Sequence, residues 1–337
     1  MTDAREHAAR VAQVEAIRAW YVRYDELEVI RQDFARLHRR DNSHGESACM
    51  LLHGPTRSGK SKLIMDYVDD HPVAEGPEGD RQEVVYVKAP YPCTTKNLVE
   101  RIVKVLGHPR PHARSGSQNR GRFQNSPRMF DMMDVLLGYV RDLGVRLMFI
   151  DEVHQATRTQ QAVLDAATLF KDLINEGEFS LVLAGTAEAK RLFLAHDELE
   201  GRLLAVHELQ PFDWFDTRRR ETFLTFLDAM DRKLPFEERS DLASADMAVR
   251  IHAVSGGIIG NVARLVENAG VIAALQGARR ILPAHFAAAF AKKAINKDSE
   301  NPFLGAPPEP RRLDAPPVPE RAARRHRGRR GDDDFRP

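Results

Sequence analysis

Cysteine is nearly missing from this chain. The 337 residues hold only Cys49 and Cys93, without metal-ligand spacing, and Cys49 falls inside a predicted buried strand. A cysteine-ligated metal site is therefore not expected, and a reducing, cytoplasmic compartment is the simpler expectation. Long apolar runs are absent as well. No stretch approaches the roughly 18 residues of a membrane span, and the N-terminus is polar and mixed in charge, so a soluble protein with no membrane partner is expected. Charge of one sign is lacking too: 50 Lys and Arg against 49 Asp and Glu leave a net +1, so any nucleic-acid surface must be local. What remains is an ordinary globular composition, 42% hydrophobic, and a length that suggests about two domains.

The most informative segment is Gly54-Pro55-Thr56-Arg57-Ser58-Gly59-Lys60-Ser61. It lies between the apolar run Cys49–Leu52 and a helix-like stretch, Lys62–Val68. This is the phosphate-binding P-loop pattern. Glycines let backbone N–H groups face an anion at a helix N-terminus, Lys60 reaches the β- and γ-phosphates, and the Ser61 hydroxyl ligates Mg²⁺. A plain strand-to-helix turn is the competing reading. The acid that such a site needs comes about ninety residues later. Val145–Ile150 reads as a buried parallel strand beside the P-loop strand, and it ends in Asp151-Glu152. Asp151 is assigned to the metal and Glu152 to general-base work on water. Alone, such a pair would more often cap a helix.

Apolar residues at three- and four-residue steps predict a helix over 5–40. Core strands are expected at Cys49–Leu52, Val84–Val87, Val145–Ile150, Ser180–Ala184 and Ala205–Leu209, separated by helices. That alternation implies an α/β fold with a parallel sheet and helices on both faces. The expected units are an N-terminal helical segment (1–45), a nucleotide-binding core (46–210), a helical domain (211–297) and a disordered Pro/Arg-rich tail (298–337). In the helical unit, Asp216 is expected to cap a helix burying Phe223, Phe226, Leu227 and Met230, with further helices at 241–253, 258–275 and 283–294. The tail is too poor in large apolar side chains to offset ordering entropy.

With its P-loop, Phe149-Ile150-Asp151-Glu152-Val153-His154, and Leu181-Val182-Leu183-Ala184-Gly185-Thr186-Ala187-Glu188-Ala189, the chain resembles AAA+ ATPases. Within them it is similar to the TniB/TnsC group of transposition regulators, over about residues 20–275. The resemblance implies an AAA+ P-loop core with a small C-terminal helical lid, using ATP and Mg²⁺. It places Thr186 where a sensor orients the attacking water, and Arg202 where an arginine reaches a neighbouring subunit's γ-phosphate. Gly201 and Leu203 flank Arg202 where the group has serine and phenylalanine, so a solvated helix-end arginine stays open. Arg264 in Gly256–Arg264 stands as an in-cis phosphate contact, or as a lid ion pair. Tyr24 and Ile30 lie where the group packs adenine, although a helix core explains them equally. His154 is left out of the site.

Gly107–Pro127 contains Arg110, Arg114, Arg120 and Arg122 with no acid. Such a loop can follow a phosphate backbone without reading sequence, or simply be a solvated insertion. Lys88 and Lys96 are further DNA candidates, by the resemblance. The function so implied is an ATP-dependent regulator that oligomerises as a ring or filament on double-stranded DNA and recruits or activates a transposase, with a target-selection protein as a further partner. Two rivals remain: a replication-type helicase loader, and a nucleotide-gated signalling or scaffold ATPase without a DNA role.

Overall fold

The computed structural model describes residues 2–19, 21–40, 47–77, 79–107, 129–293 and 300–310. Its strands are β1 (Cys49–His53), β2 (Val84–Lys88), β3 (Leu147–Asp151), β4 (Ser180–Gly185) and β5 (Leu203–Glu208). They form one sheet in the order β2-β3-β4-β1-β5, and every pairing is parallel. The helices in chain order are α1 (Thr2–Ala19), α2 (Asp25–His38), α3 (Lys60–Asp69), α4 (Thr95–Leu106), α5 (Met129–Leu143), α6 (Gln160–Glu176), α7 (Lys190–Leu194), α8 (Asp197–Gly201), α9 (Thr217–Lys233), α10 (Ala245–Ser255), α11 (Ile259–Leu275) and α12 (Pro283–Lys293).

Alternation along each strand splits the core in two. Leu51, Val85, Val87, Met148, Ile150, Leu181 and Leu183 pack with residues of α4, α5 and α6. Met50, Leu52, Val84, Phe149, Val182 and Ala184 pack on the other side with α2 and α3. Because both faces are covered, the strands read as continuous apolar runs rather than as alternating ones. A third cluster joins α9 to α12 through Phe223, Phe226, Leu227, Met230, Val262, Val266 and Phe286. The Asp216 carboxylate accepts from the Arg219 backbone N–H at 2.8 Å and so caps α9 as expected. No single described helix is long and apolar enough to cross a membrane.

Three expectations need correction. The predicted helix over 5–40 is two helices. Tyr24 is extended and begins α2, whose first turn carries Asp25, Glu26 and Glu28, charges that favour a fresh helix N-terminus. The two helices also serve different partners: Leu27, Ile30, Phe34 and Leu37 of α2 pack on the sheet, whereas Ile17 of α1 lies against Gly270 of α11. Secondly, β3 does not lie beside the P-loop strand, because β4 is inserted between them. Thirdly, the chain from 298 was expected to be wholly disordered, yet residues 301–305 pack on the helical cluster. The Phe303 ring stacks on Phe286 at 5.1 Å, and the Arg250 guanidinium donates to the carbonyls of Pro302 (2.6 Å) and Gly305 (2.9 Å). Bulk composition missed this because one aromatic and one buried arginine suffice. Residues 311–337 lie outside the described residues.

Candidate nucleotide site

The P-loop leaves the C-terminal end of β1 and wraps into the first turn of α3. Gly54 (φ 154°) admits no side chain, because a Cβ there would meet the Leu209 carbonyl oxygen at 2.5 Å. Gly59 has open space around it but holds φ 98°, which only glycine adopts without strain. Arg57 takes φ 68°, and its carbonyl accepts from Gly260 N–H at 2.8 Å, tying the loop to the start of α11. Gly260 is itself obligatory, since a Cβ would come within 2.5 Å of that same carbonyl oxygen.

Lys60 is buried and folded back on the loop. Its ammonium donates to the carbonyls of Gly54 (2.9 Å) and Pro55 (2.8 Å) and to Ser58 Oγ (3.1 Å). Burial lowers its pKa, and the nearby carboxylates of Asp151 and Glu152 oppose that shift. Asp151 is fully buried at the end of β3. Oδ2 accepts from Ser61 Oγ at 2.5 Å and from the Tyr86 hydroxyl at 3.1 Å, and Oδ1 accepts from the Glu152 backbone N–H at 2.8 Å. Burial, and then Asp151, push the Tyr86 phenol well above its ordinary range, so it stays a proton donor to the carboxylate. The inserted β4 thus does not prevent Asp151 from reaching Ser61.

Glu152 turns out of the strand at φ 62°. His154, in the short 3-10 turn Val153–Ala156, lies between two site residues. Its Nε2 is 3.3 Å from Glu152 Oε2, and its Nδ1 accepts from Thr186 N–H at 3.4 Å. The Thr186 hydroxyl is buried without a hydrogen-bond partner among the described residues. An open cleft is lined by Thr56, Arg57, Lys60, Ser61, Glu152, His154, Thr186 and Gly260. Mg²⁺ and a triphosphate fit this donor set: a hydroxyl and a carboxylate in contact, an ammonium on exchangeable loop carbonyls, and an orphaned hydroxyl at the wall.

A family model for the bacterial TniB protein matches residues 10–213. The chain belongs to the TniB family. No curated protein sequence matches it. Among solved structures, similarity extends to the Aeropyrum pernix ORC2 protein with ADPNP and ADP (14% identity, 78% of this chain and 67% of that one, TM-score 0.53). Others are the Aeropyrum pernix ORC1 protein in complex with DNA (16%, 80% and 64%, 0.52) and CDC6P from Pyrobaculum aerophilum (13%, 83% and 71%, 0.52). At such identities the likeness concerns the fold, which is that of AAA+ ATPases.

In this TniB chain the remaining candidates are dispersed. Arg202 precedes β5, its carbonyl accepts from Cys49 N–H at 2.9 Å, and its guanidinium donates to Ser47 O at 3.4 Å. It therefore sits at the strand starts, about 15 Å along β1 from its own P-loop. Arg264 is exposed one turn beyond Gly260 and does not line the cleft. Ile30 is buried in the sheet core, and Tyr24 packs between Phe212 (5.7 Å) and Phe226 (5.9 Å), where α2 meets the C-terminal helices. Lys88 is exposed and pairs in register with Asp151. Lys96 lies in the first turn of α4, 3.9 Å from Glu100. Arg110, Arg114, Arg120 and Arg122 lie outside the described residues. Sequence reasoning weighed His154 and left it out of the site, and did not name Tyr86. For His154 the signal was its place two residues after the acid pair; for Tyr86 only strand pairing reveals the contact.

Proposed function

We propose that this TniB chain is a slow, regulatory ATPase that assembles as a ring or filament on double-stranded DNA and recruits or activates a transposase, in company with a target-selection protein. The observation that carries the ATPase reading is the Ser61–Asp151 contact in a cleft shared with Lys60, Glu152 and Thr186. Ser61 and Asp151 would hold Mg²⁺, which when bound neutralises charge on the β- and γ-phosphates. Lys60 would exchange its loop carbonyls for phosphate oxygens, and the backbone of residues 54–61 would supply N–H donors. Glu152 would take a proton from the attacking water, which Thr186 would orient. Arg202 is too far from its own P-loop to act in cis, so it would serve a neighbouring subunit, where a fixed cation stabilises transition-state charge. Arg264 would contact phosphate from the lid.

Family membership supports the transposition reading, and the DNA-bound ORC1 neighbour agrees with a DNA partner. Lys88, Lys96, Arg110, Arg114, Arg120 and Arg122 are the proposed backbone contacts. Electron microscopy of the Glu152→Gln protein with ATP and duplex DNA tests the proposal. Ordered rings or filaments that need both components are expected, and dispersed particles under every condition would overturn it. A helicase loader would share that assembly but would bind helicase rather than transposase in a pull-down with purified partners.

A further inference from the structure

The φ of 68° at Arg57 is one that a long side chain adopts only under strain. The start of α11 holds it there. The Gly260 N–H donates to the Arg57 carbonyl at 2.8 Å, and a Cβ at Gly260 would meet the Arg57 Cβ at 3.1 Å. The root of the side chain is therefore fixed, while its exposed tip is held lightly. Nη1 donates to Asn261 Oδ1 at 3.4 Å, near the limit of a hydrogen bond. Asn261 is set for this contact, because its Nδ2 donates to the Ser255 carbonyl at 3.2 Å and leaves Oδ1 to face the arginine. Among the described residues no carboxylate pairs with Arg57, which lines the cleft together with Lys60 and Ser61. A guanidinium with five N–H donors thus spends one of them on a neutral amide, beside the cleft assigned to phosphate.

We propose that the Arg57 side chain is a further phosphate contact of the bound nucleotide, and that Asn261 on α11 is a positioning residue that competes for it. The inference deepens the nucleotide-site reading above and rests on it. On binding, Arg57 exchanges one bond to a neutral amide for charge-assisted bonds to phosphate oxygens. Asn261 holds the guanidinium when no nucleotide is bound and recaptures it as nucleotide leaves. The α10–α11 turn thereby sets a brake on affinity. Gly260 is bonded to the Arg57 carbonyl rather than to its tip, so that bond persists through the exchange. The tie between P-loop and α11 loses its side-chain half when nucleotide is bound and keeps its backbone half.

The test is a double-mutant cycle on the full-length protein, read by anisotropy as affinity for a fluorescent ATP analogue with Mg²⁺, on variants of matched melting behaviour. Arg57→Ala should weaken binding about tenfold or more, since hydrogen bonds to charged groups are the strong ones. Arg57→Lys should recover part of that loss by keeping the charge. Asn261→Ala should tighten binding several-fold, through slower release, where Arg57 is present and not where it is alanine. Asn261→Asp, whose carboxylate grips the guanidinium harder, should weaken binding more beside Arg57 than in the Arg57→Ala background, which accounts for direct repulsion of phosphate. That arm decides the competition if Asn261→Ala does not fold. Unchanged affinity in Arg57→Ala overturns the contact. Asn261 variants that shift affinity equally in both backgrounds overturn the competition and leave Asn261 as a brace of the turn. A wild-type protein that binds no ATP analogue would instead sink the nucleotide-site reading itself.

Discussion

At the scale of single residues, the proposed site makes separate predictions for binding and for chemistry. Lys60 is the ammonium folded onto the P-loop carbonyls, so Lys60→Ala is expected to abolish nucleotide binding, read with a fluorescent ATP analogue. Glu152→Gln keeps the shape of the side chain but cannot accept a proton. It should bind ATP normally and turn over about 10²-fold more slowly or worse. If both variants bind and hydrolyse like wild type, the assignment is wrong. Tyr86→Phe leaves Asp151 with one donor fewer in a buried setting, and loss of a hydrogen bond to a charged group costs about 1.5–3 kcal/mol. A lowered melting temperature that excess Mg²⁺ partly restores is expected, and a melting curve identical to wild type would show that the phenol contributes nothing.

At the scale of elements, the P-loop is clamped from two sides, by the residue after β5 at Gly54 and by the start of α11 at Gly260. A Gly260→Ala change forces α11 off the Arg57 carbonyl. We expect weaker ATP-analogue binding with modest loss of stability, because the clamp acts on loop geometry rather than on the core. Retention of wild-type affinity would mean that the C-terminal helices do not shape the loop. The position of Arg202 at the strand starts makes a second element-scale test. Arg202→Ala should impair hydrolysis but not binding, and mixing it with Glu152→Gln subunits should restore some activity. No recovery in confirmed mixed assemblies would count against action across subunits.

For the molecule as a whole, the packed segment 301–305 and the buried His53 make stability tests. Phe303 is almost fully buried, and removing such a ring typically costs about 3–5 kcal/mol. Truncation after residue 299 should therefore lower the melting temperature by several degrees, whereas truncation after 310 should leave it alone. Equal melting of the two would return the segment to the tail. His53, buried at the end of β1 with no hydrogen bond to Nδ1 among the described residues and Glu208 Oε1 4.0 Å away, has its pKa pushed down to about 4, first by burial and then by Lys190. The unfolded chain binds a proton near pH 6.5, well before the native state does. Stability contributed by neutral His53 is full above that value and is lost as the pH falls toward 4. His53→Leu should flatten that part of the pH–melting profile, and an unaltered slope would exonerate the residue.

Much of this was legible locally. The P-loop and the acid pair are short motifs whose chemistry depends on residues adjacent in the chain, and the five strands are apolar runs because both sheet faces are covered. Gly54, Gly59, Lys60, Ser61, Asp151 and Glu152 could all be named from the sequence for that reason. Other features depend on partners distant in the chain. The break between α1 and α2 follows from two helices serving different packing partners, which periodicity alone does not reveal. Strand order, and with it the entry of β4 between β1 and β3, is a property of the assembled sheet. His154 acquires its neighbours only when the turn after β3 meets the end of β4, and Phe303 finds Phe286 only across the finished helical cluster. Local pattern singled out the residues proposed to carry the chemistry; tertiary packing decided which of them touch, because burial and hydrogen-bond partners are set by groups that are far apart in sequence.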